Sequence, residues 1–368
     1  MSTIIAVVTA AARSAFRFAH GDWLIVAGLV VLSGAACRAA PPPPPPPPPP
    51  ARHAASAAAP VPVPAAWLPL IGEYARDGRH LTLLEEAGVL RVRIDSSPPR
   101  TVRLEDRDSL LPLRADSAVL RFAIERAADG GIAALVGTAG RWARRPLGAG
   151  TFRITPLHTA AELRVAALSA TSPPAGAHTV SPDLVELATL DSTMRLDIRY
   201  ATTNNFMGER FYDAPQAFLQ RPAAEALIRA HRRLAALGYG LLIHDAYRPW
   251  YVTWMFWQAT PDSLKLFVAD PAGGSRHNRG AAVDVTLYDL ASGTPVTMPS
   301  GYDEFSERAY PDYPGGTSRQ RWHRDLLRAT LEAEGFHVYQ YEWWHFDFEG
   351  WERYPILNLP FAMIRQER

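Results

Sequence analysis

An unbroken proline run, Pro41 to Pro50, interrupts the chain near its N-terminus and excludes regular secondary structure there. Proline has no backbone N–H group and its ring fixes φ, so the run adopts an extended polyproline II form. More alanine and proline follow as far as residue 66. We therefore predict that residues 38–66 form a stiff Pro/Ala-rich linker, with a ligand for proline-recognition domains as the alternative.

Residues 1–37 before this linker are typical of an export signal. Arg13 and Arg17 supply positive charge, and Trp23 to Leu32 supply an apolar run. That run is shorter than the about 20 residues that a membrane span needs. Cys37 follows small residues and resembles a bacterial lipoprotein cleavage site, while a plain signal peptide or an uncleaved membrane anchor is the alternative. We expect the protein in the cell envelope, either periplasmic or membrane-attached through its N-terminus.

Composition excludes several classes of protein. The chain has 368 residues, enough for two domains, and a net charge of +1 without the basic excess of a nucleic-acid binder. Its one cysteine rules out an intramolecular disulfide and a thiolate-rich zinc site, so any metal site must use His, Asp and Glu. No feature of the sequence indicates a protein partner.

Residues 67–168 are predicted to form a small β-rich accessory domain. Short segments with partial period-2 alternation are separated by turn formers such as Asp129-Gly130-Gly131. The predicted strands are His80 to Leu84, Val89 to Ile94, Ala118 to Ile124 and Thr151 to Ile154. We find no catalytic constellation there, and a Ser/Pro/Ala/Gly-rich linker follows over residues 169–179.

Residues 180–368 mix both element types, which predicts an α+β domain in which helices flank an antiparallel sheet. Helices are expected over Ala223 to Leu237, Trp250 to Ala259 and Ser318 to Glu334, with Ser318 as the cap of the last one. Strands are expected over Leu241 to His244, Val283 to Leu287 and Phe336 to Phe348.

Two short segments of this domain carry the residues of a hydrolytic metal site. The segment 275–284 contains His277 and Asp284, and the segment 342–345 contains Glu342 and His345. Two imidazoles and one carboxylate can bind zinc and leave one coordination position open, while the spare carboxylate can move a proton. Asp284 alternates with apolar neighbours, and a carboxylate buried in a strand needs a charge partner or a metal ion. Gly280 permits a tight turn between the two ligands of the first segment.

The first segment contains the run His277-Asn278-Arg279-Gly280-Ala281-Ala282-Val283-Asp284, and the second is Glu342-Trp343-Trp344-His345. Both segments resemble those of the zinc D-alanyl-D-alanine dipeptidases of the VanX type. That family is related to D-Ala-D-Ala carboxypeptidases and to the Hedgehog signalling fold. The resemblance extends over about residues 183–360 and includes Asp245-Ala246-Tyr247-Arg248-Pro249. It does not include the β-rich domain.

The resemblance implies one zinc ion per chain, bound by His277, Asp284 and His345. It implies that Glu342 is the catalytic base and that Arg248 stabilises the oxyanion that develops during hydrolysis.

The same resemblance implies that Asp303 and Ser275 contact the free amine of a small D,D-dipeptide, although Glu307 is an alternative for that contact. The expected function is hydrolysis of D-alanyl-D-alanine to two D-alanines, in cell-wall turnover or glycopeptide resistance. Two alternatives stay open. One is a D,D-carboxypeptidase or peptidoglycan endopeptidase with the same zinc core, and the other is a non-catalytic zinc protein that binds peptidoglycan fragments.

Overall fold

The computed structural model describes residues 58–113, 120–147, 150–174 and 180–364. The predicted export signal, its Cys37 and most of the proline-rich linker lie outside these residues. None of the described helices combines the length and the hydropathy that crossing a membrane requires.

The accessory domain is a closed antiparallel barrel of eight strands in the described part of the chain. Each strand pairs with the next along the chain, and β1 also pairs with β8 to close the barrel. The strands are β1 (Gly72–Arg76), β2 (Arg79–Glu86), β3 (Val89–Ile94), β4 (Arg100–Asp106), β5 (Ser109–Pro112), β6 (Phe122–Arg126), β7 (Ile132–Gly137) and β8 (Gly140–Arg144).

Local sequence explains the hairpins of the barrel. Two-residue turns connect β1 to β2 and β2 to β3, and in each turn both residues have positive φ: Asp77-Gly78 at 48° and 74°, and Ala87-Gly88 at 51° and 80°. Such turns match the right-handed twist of a hairpin. The inward side of β2 to β8 then fills the barrel with apolar side chains, among them Leu81, Leu135 and Trp142.

The larger domain is α+β. Its main sheet has five strands in the order β10-β12-β13-β15-β14. The elements of this domain are α1 (Ala160–Ser169), β9 (Leu184–Glu186), α2 (Leu187–Leu190), β10 (Arg195–Leu196), β11 (Phe218–Gln220), α3 (Arg221–Ala235), β12 (Tyr239–Asp245), α4 (Trp250–Ala259), β13 (Ala282–Asp289), α5 (Ser318–Glu332), β14 (Phe336–Tyr339) and β15 (Glu342–Phe348).

The main sheet is mixed, which corrects the prediction of a purely antiparallel one. The edge strand β10 runs parallel to β12, and the other pairs are antiparallel. The strand β12 is buried along its whole length, and α3 and α5 pack against each other and against the sheet. Val283 and Val285 of β13 belong to the core, as their alternation with Asp284 predicts.

Three local predictions differ from the structure. Residues 151–154 form no strand; instead Phe152 and Ile154 pack with the core of the larger domain, as do buried residues of α1. This part of the predicted accessory domain therefore packs with the larger domain. The cap of α5 is Thr317, not Ser318, because Gln320 completes a capping box with the threonine.

Candidate metal centre and active site

The register of the sheet brings three polar residues side by side. On neighbouring strands, Asp284 pairs with His345 on one side and with Asp245 on the other. A β-bulge in β12 precedes Asp245. Because residues opposite each other in a sheet point to the same face, these side chains meet at one place.

His277 reaches this place from a single 3₁₀ turn, His277–Arg279. Gly280 ends the turn in the left-handed region with φ of 65°, and a Cβ there would lie 2.4 Å from a methyl carbon of Leu184. Only glycine satisfies both conditions. Asn278 fastens the turn to its surroundings by donating to the Arg248 carbonyl and to the Thr253 hydroxyl.

The three predicted ligands form a triangle of close contacts. His277 Nε2 lies 3.0 Å from His345 Nδ1 and 3.3 Å from Asp284 Oδ1, and His345 Nδ1 lies 3.0 Å from Asp284 Oδ1. Zinc bonds of about 2.0–2.1 Å in a tetrahedron separate ligand atoms by roughly 3.3–3.4 Å. The triangle therefore has the size of one face of a tetrahedral metal site.

The outer nitrogens of the two imidazoles fix their tautomers. His277 Nδ1 lies 2.6 Å from the Ala246 carbonyl and His345 Nε2 lies 2.9 Å from Asp347 Oδ1, and both oxygens can only accept. With the protons on these outer nitrogens, the lone pairs of the inner nitrogens point at each other and at Asp284. This arrangement suits a cation bound between them.

The acidity of His345 leads to the same conclusion. Burial acts to lower the pKa of His345, but the carboxylates of Asp347 and Asp284 outweigh burial and raise it to about 10. The carboxylates around the ring therefore favour a positive charge at this place.

Glu342 lies beside the triangle without belonging to it. Its Oε2 is 3.8 Å from His345 Nδ1. Burial raises the pKa of Glu342 to about 7. The nearby His345 acts to lower this pKa, and the Asp284 carboxylate acts to raise it. A carboxylate with this pKa can accept and return a proton near neutral pH.

Arg248 is a preorganised cation on the other side of the cluster. Its Nε and Nη2 donate to Asp245 Oδ2 at 2.9 and 2.8 Å, and its guanidinium lies over the rings of Tyr200 and Phe256. Burial acts to lower the pKa of Arg248, but Asp245 together with Tyr200, Tyr212 and Asp284 outweighs burial and raises that pKa well above its ordinary value. Its Nη1 has no hydrogen-bond partner among the described residues, so it is available to an oxygen of a substrate.

Asp303 is a buried carboxylate on the loop of residues 298–316. It accepts hydrogen bonds from the Tyr200 hydroxyl at 3.0 and 3.1 Å, and its backbone has a strained φ of 57°. Burial, together with Asp284 and Glu342, raises the pKa of Asp303 well above its ordinary value. No cation of the described chain forms an ion pair with Asp303, so a positively charged ligand in the pocket would favour its ionised form.

One pocket contains all seven residues to which the resemblance assigned a catalytic, metal-binding or substrate-binding role. Its lining includes the triangle, Glu342, Arg248, Asp303 and Ser275. Ser275 Oγ accepts from the His277 backbone N–H at 3.2 Å. Glu307, the alternative for the amine contact, is not among the lining residues. The assigned roles stay predictions, but the structure brings the seven residues together.

Three residues that support the site were missed from the sequence. Asp245 holds Arg248, Asp347 holds His345, and Tyr302 donates to Asp284 Oδ2 at 2.9 Å. The strand period could have indicated Asp347, since it lies two residues after His345 and faces the same way. Nothing in the sequence indicates Tyr302, because its contact depends on the path of a loop.

Comparison with known proteins agrees with this geometry. Residues 180–361 match the family model described as D-ala-D-ala dipeptidase. The D-alanyl-D-alanine dipeptidase of Escherichia coli (strain K12) is 35% identical over 180 residues, which cover 49% of this chain and 92% of the relative. The chain belongs to the D-alanyl-D-alanine dipeptidase family. The dipeptidase of Enterococcus faecalis is also 35% identical, over 188 residues that cover 46% of this chain and 93% of the relative.

The family membership confirms the predicted resemblance and makes the chain a metal-dependent peptidase. The range that matches the D-alanyl-D-alanine dipeptidase family model contains the whole pocket described above, from Tyr200 to His345. The barrel lies before this range.

Proposed function

We propose that the protein is a zinc-dependent dipeptidase of the cell envelope that hydrolyses D-alanyl-D-alanine to two D-alanines. The observation that carries the proposal is the triangle of His277, Asp284 and His345, which lies in one pocket with Glu342 and Arg248 in a chain of this family. We also propose that its mixed sheet with flanking helices has the fold common to D-Ala-D-Ala peptidases and the Hedgehog signalling proteins.

The donor set favours zinc as the metal. Two neutral imidazoles and one carboxylate, without thiolates, suit zinc among the common divalent ions. The hydrogen bonds to Ala246 and Asp347 orient the imidazoles for binding, and the Tyr302 hydroxyl holds the second oxygen of Asp284. A bound zinc ion would supply Lewis acidity toward the scissile carbonyl.

The residues of the chain supply proton transfer and charge stabilisation. Glu342 takes a proton from the attacking water and later gives it to the leaving amine, for which a pKa near neutrality is suitable. Arg248 donates to the oxyanion that develops on the former carbonyl. Because Asp245 fixes the guanidinium in advance, this stabilisation needs no reorganisation during the reaction.

Two features of the pocket favour a free dipeptide over a longer peptide. The buried carboxylate of Asp303 can pair with a free ammonium group, which only the N-terminal residue of a substrate carries. Phe267 and Phe305 come from different segments and stack in the lining, with ring centroids 5.0 Å apart and planes 9° apart. The pair forms part of the pocket wall, and a wall of stacked rings would limit the length of peptide that the pocket accepts.

The purified full chain tests the proposal directly. We expect it to release D-alanine from D-alanyl-D-alanine, to lose this activity with a chelator and to regain it with zinc. N-acetyl-D-alanyl-D-alanine, which lacks the ammonium group, should be hydrolysed poorly. Hydrolysis of the acetylated dipeptide or of a stem pentapeptide at equal rates would favour the carboxypeptidase or endopeptidase, and metal binding without hydrolysis of any of these would favour the non-catalytic binder.

The envelope location is a separate part of the proposal, supported by the sequence of residues 1–37. Metabolic labelling with a fatty acid, compared between the natural chain and Cys37→Ser, tests lipid attachment. Label on the natural chain alone supports a lipoprotein. Export without label supports a plain signal peptide or anchor, and a protein found only in the cytoplasm would contradict the location.

A further inference from the structure

The barrel buries two carboxylates, which is unusual for a small domain. Among the described barrel residues, Glu73 on β1 and Glu85 on β2 are the buried acids, with 7% and 2% of their surface exposed. A buried carboxylate destabilises a fold unless hydrogen-bond donors surround it. Thr82 and Gly88 of the barrel donate to these carboxylates, and the remaining donors come from outside the barrel.

Glu73 accepts a hydrogen bond from the Tyr313 hydroxyl, which belongs to the catalytic domain. Thr82 of the neighbouring barrel strand adds a weaker contact at 3.2 Å. Tyr313 is buried as well, and its own carbonyl accepts from Arg324 of α5 at 2.7 Å. The phenol therefore joins the barrel to the segment that precedes α5.

Glu85 makes several bonds to the same segment. Its carboxylate accepts from the Ser318 backbone N–H at 2.7 Å and from the Ser318 hydroxyl at 3.1 Å. Its backbone N–H donates to the Gly316 carbonyl at 3.0 Å, and its carbonyl accepts from Arg321 at 2.8 Å. The barrel thus contacts this segment through both the side chain and the backbone of one residue.

The contacted segment is the end of the loop that carries Asp303. The beginning of the loop is tied to the main sheet, because Trp343 Nε1 donates to the Ser300 hydroxyl at 2.8 Å. Its end, from Tyr313 to Gly316, is tied to the barrel. Between these ties, Tyr302 and Asp303 reach into the active site.

We propose that the barrel is a positioning domain for the substrate-binding loop: Glu73 and Glu85 hold the segment 313–318 and thereby set the position of Asp303. The two barrel residues are positioning residues and do not touch the substrate. The kinetic part of this inference rests on the proposed function.

The test uses the full chain with Glu73→Ala, Glu85→Ala and, as a smaller change, Tyr313→Phe. We expect KM for D-alanyl-D-alanine to rise about tenfold in the alanine variants, since each loses hydrogen bonds to a charged group. We expect kcat to change by less than about twofold and the zinc content to stay the same, because Glu342, Arg248 and the metal ligands are untouched. Tyr313→Phe should give a smaller rise of KM in the same direction.

Three control variants separate positioning from simple destabilisation. Glu73→Gln keeps an acceptor for Tyr313 and should restore KM to near the natural value. Glu125→Ala removes an exposed barrel carboxylate that pairs with Arg141 of the same barrel and should change nothing. Leu135→Ala creates a cavity in the barrel core and should lower Tm without raising KM.

Hydrogen–deuterium exchange gives a readout that does not depend on the substrate. Amides of residues 298–316 should exchange faster in Glu73→Ala, Glu85→Ala and Tyr313→Phe, and not in Leu135→Ala. An inactive natural chain with this exchange pattern would contradict the proposed function and support the positioning role. Unchanged KM and exchange in folded Glu73→Ala and Tyr313→Phe, or an equal rise of KM in Leu135→Ala, would overturn the positioning role.

Discussion

The barrel and the catalytic domain both bury carboxylates, but they satisfy them differently. In the barrel, hydroxyl and amide donors of the chain contact Glu73 and Glu85. In the catalytic domain, Asp284, Asp303 and Glu342 line one pocket, where a ligand can reach them. The difference teaches that the surroundings of a buried acid indicate its role: donors from the protein indicate a structural contact, and a position in the lining of a pocket indicates a role in binding or chemistry.

The largest effect is expected for Glu342→Gln, compared with Glu73→Gln in the barrel. Loss of the proton-transferring carboxylate should lower kcat about 10³–10⁴-fold, near the upper end of general acid–base contributions. Zinc content should be retained, because Glu342 is not one of the three ligands. The barrel variant should keep kcat within about twofold. D-alanine release measures kcat, and metal analysis measures the zinc content of each variant. Normal turnover by Glu342→Gln would refute the role of Glu342 as the base.

Arg248→Lys tests whether the preorganised guanidinium matters beyond its charge. Lysine keeps the positive charge, but its compact ammonium group lacks the planar fork that bonds Asp245 through two nitrogens and presents a third nitrogen to the substrate. We expect kcat to fall about 10²-fold, as for the loss of one oxyanion donor. Steady-state kinetics would instead show an unchanged kcat with a raised KM if Arg248 merely bound the substrate.

Asp347→Ala tests the support of the metal triangle. Removing the acceptor of His345 Nε2 frees the ring to rotate and to change tautomer, so zinc affinity should weaken about 10–100-fold. Competition with a chromophoric chelator measures the dissociation constant. Equal zinc affinity in the variant and the natural chain would show that Asp347 does not orient the ligand.

Leu135→Ala is expected to leave the chemistry unchanged and to affect stability alone. A leucine-to-alanine change in a packed core lowers the free energy of unfolding by about 2–5 kcal/mol. Thermal unfolding and kinetics together check this, and kcat should stay within about twofold. A large loss of kcat would mean that the barrel takes part in the chemistry, which would remove the distinction between the two regions.

The sequence predicted the site better than it predicted the connections between domains. The alternation of Asp284 with Val283 and Val285 predicted a carboxylate on the face of the strand opposite to the valines; in the structure the valines belong to the core and Asp284 lines the pocket. Local patterns also indicated most helices and strands. Closure of the barrel depends on the pairing of β1 with β8, which no local pattern encodes.

Contacts that depend on loops were also beyond sequence reasoning. The loop of residues 298–316 has no periodicity, so neither the Tyr302 contact with Asp284 nor the Tyr313 contact with Glu73 could be predicted. The sequence did place Asp303 and Ser275 in the site, but only through the family resemblance.

A crystal of the zinc-loaded protein, measured at energies on both sides of the zinc absorption edge, tests the central claim most directly. The account predicts one anomalous peak per chain, about 2.0–2.2 Å from His277 Nε2, His345 Nδ1 and Asp284 Oδ1. A zinc peak elsewhere, or a loaded protein whose metal lies away from any of these three atoms, would contradict it.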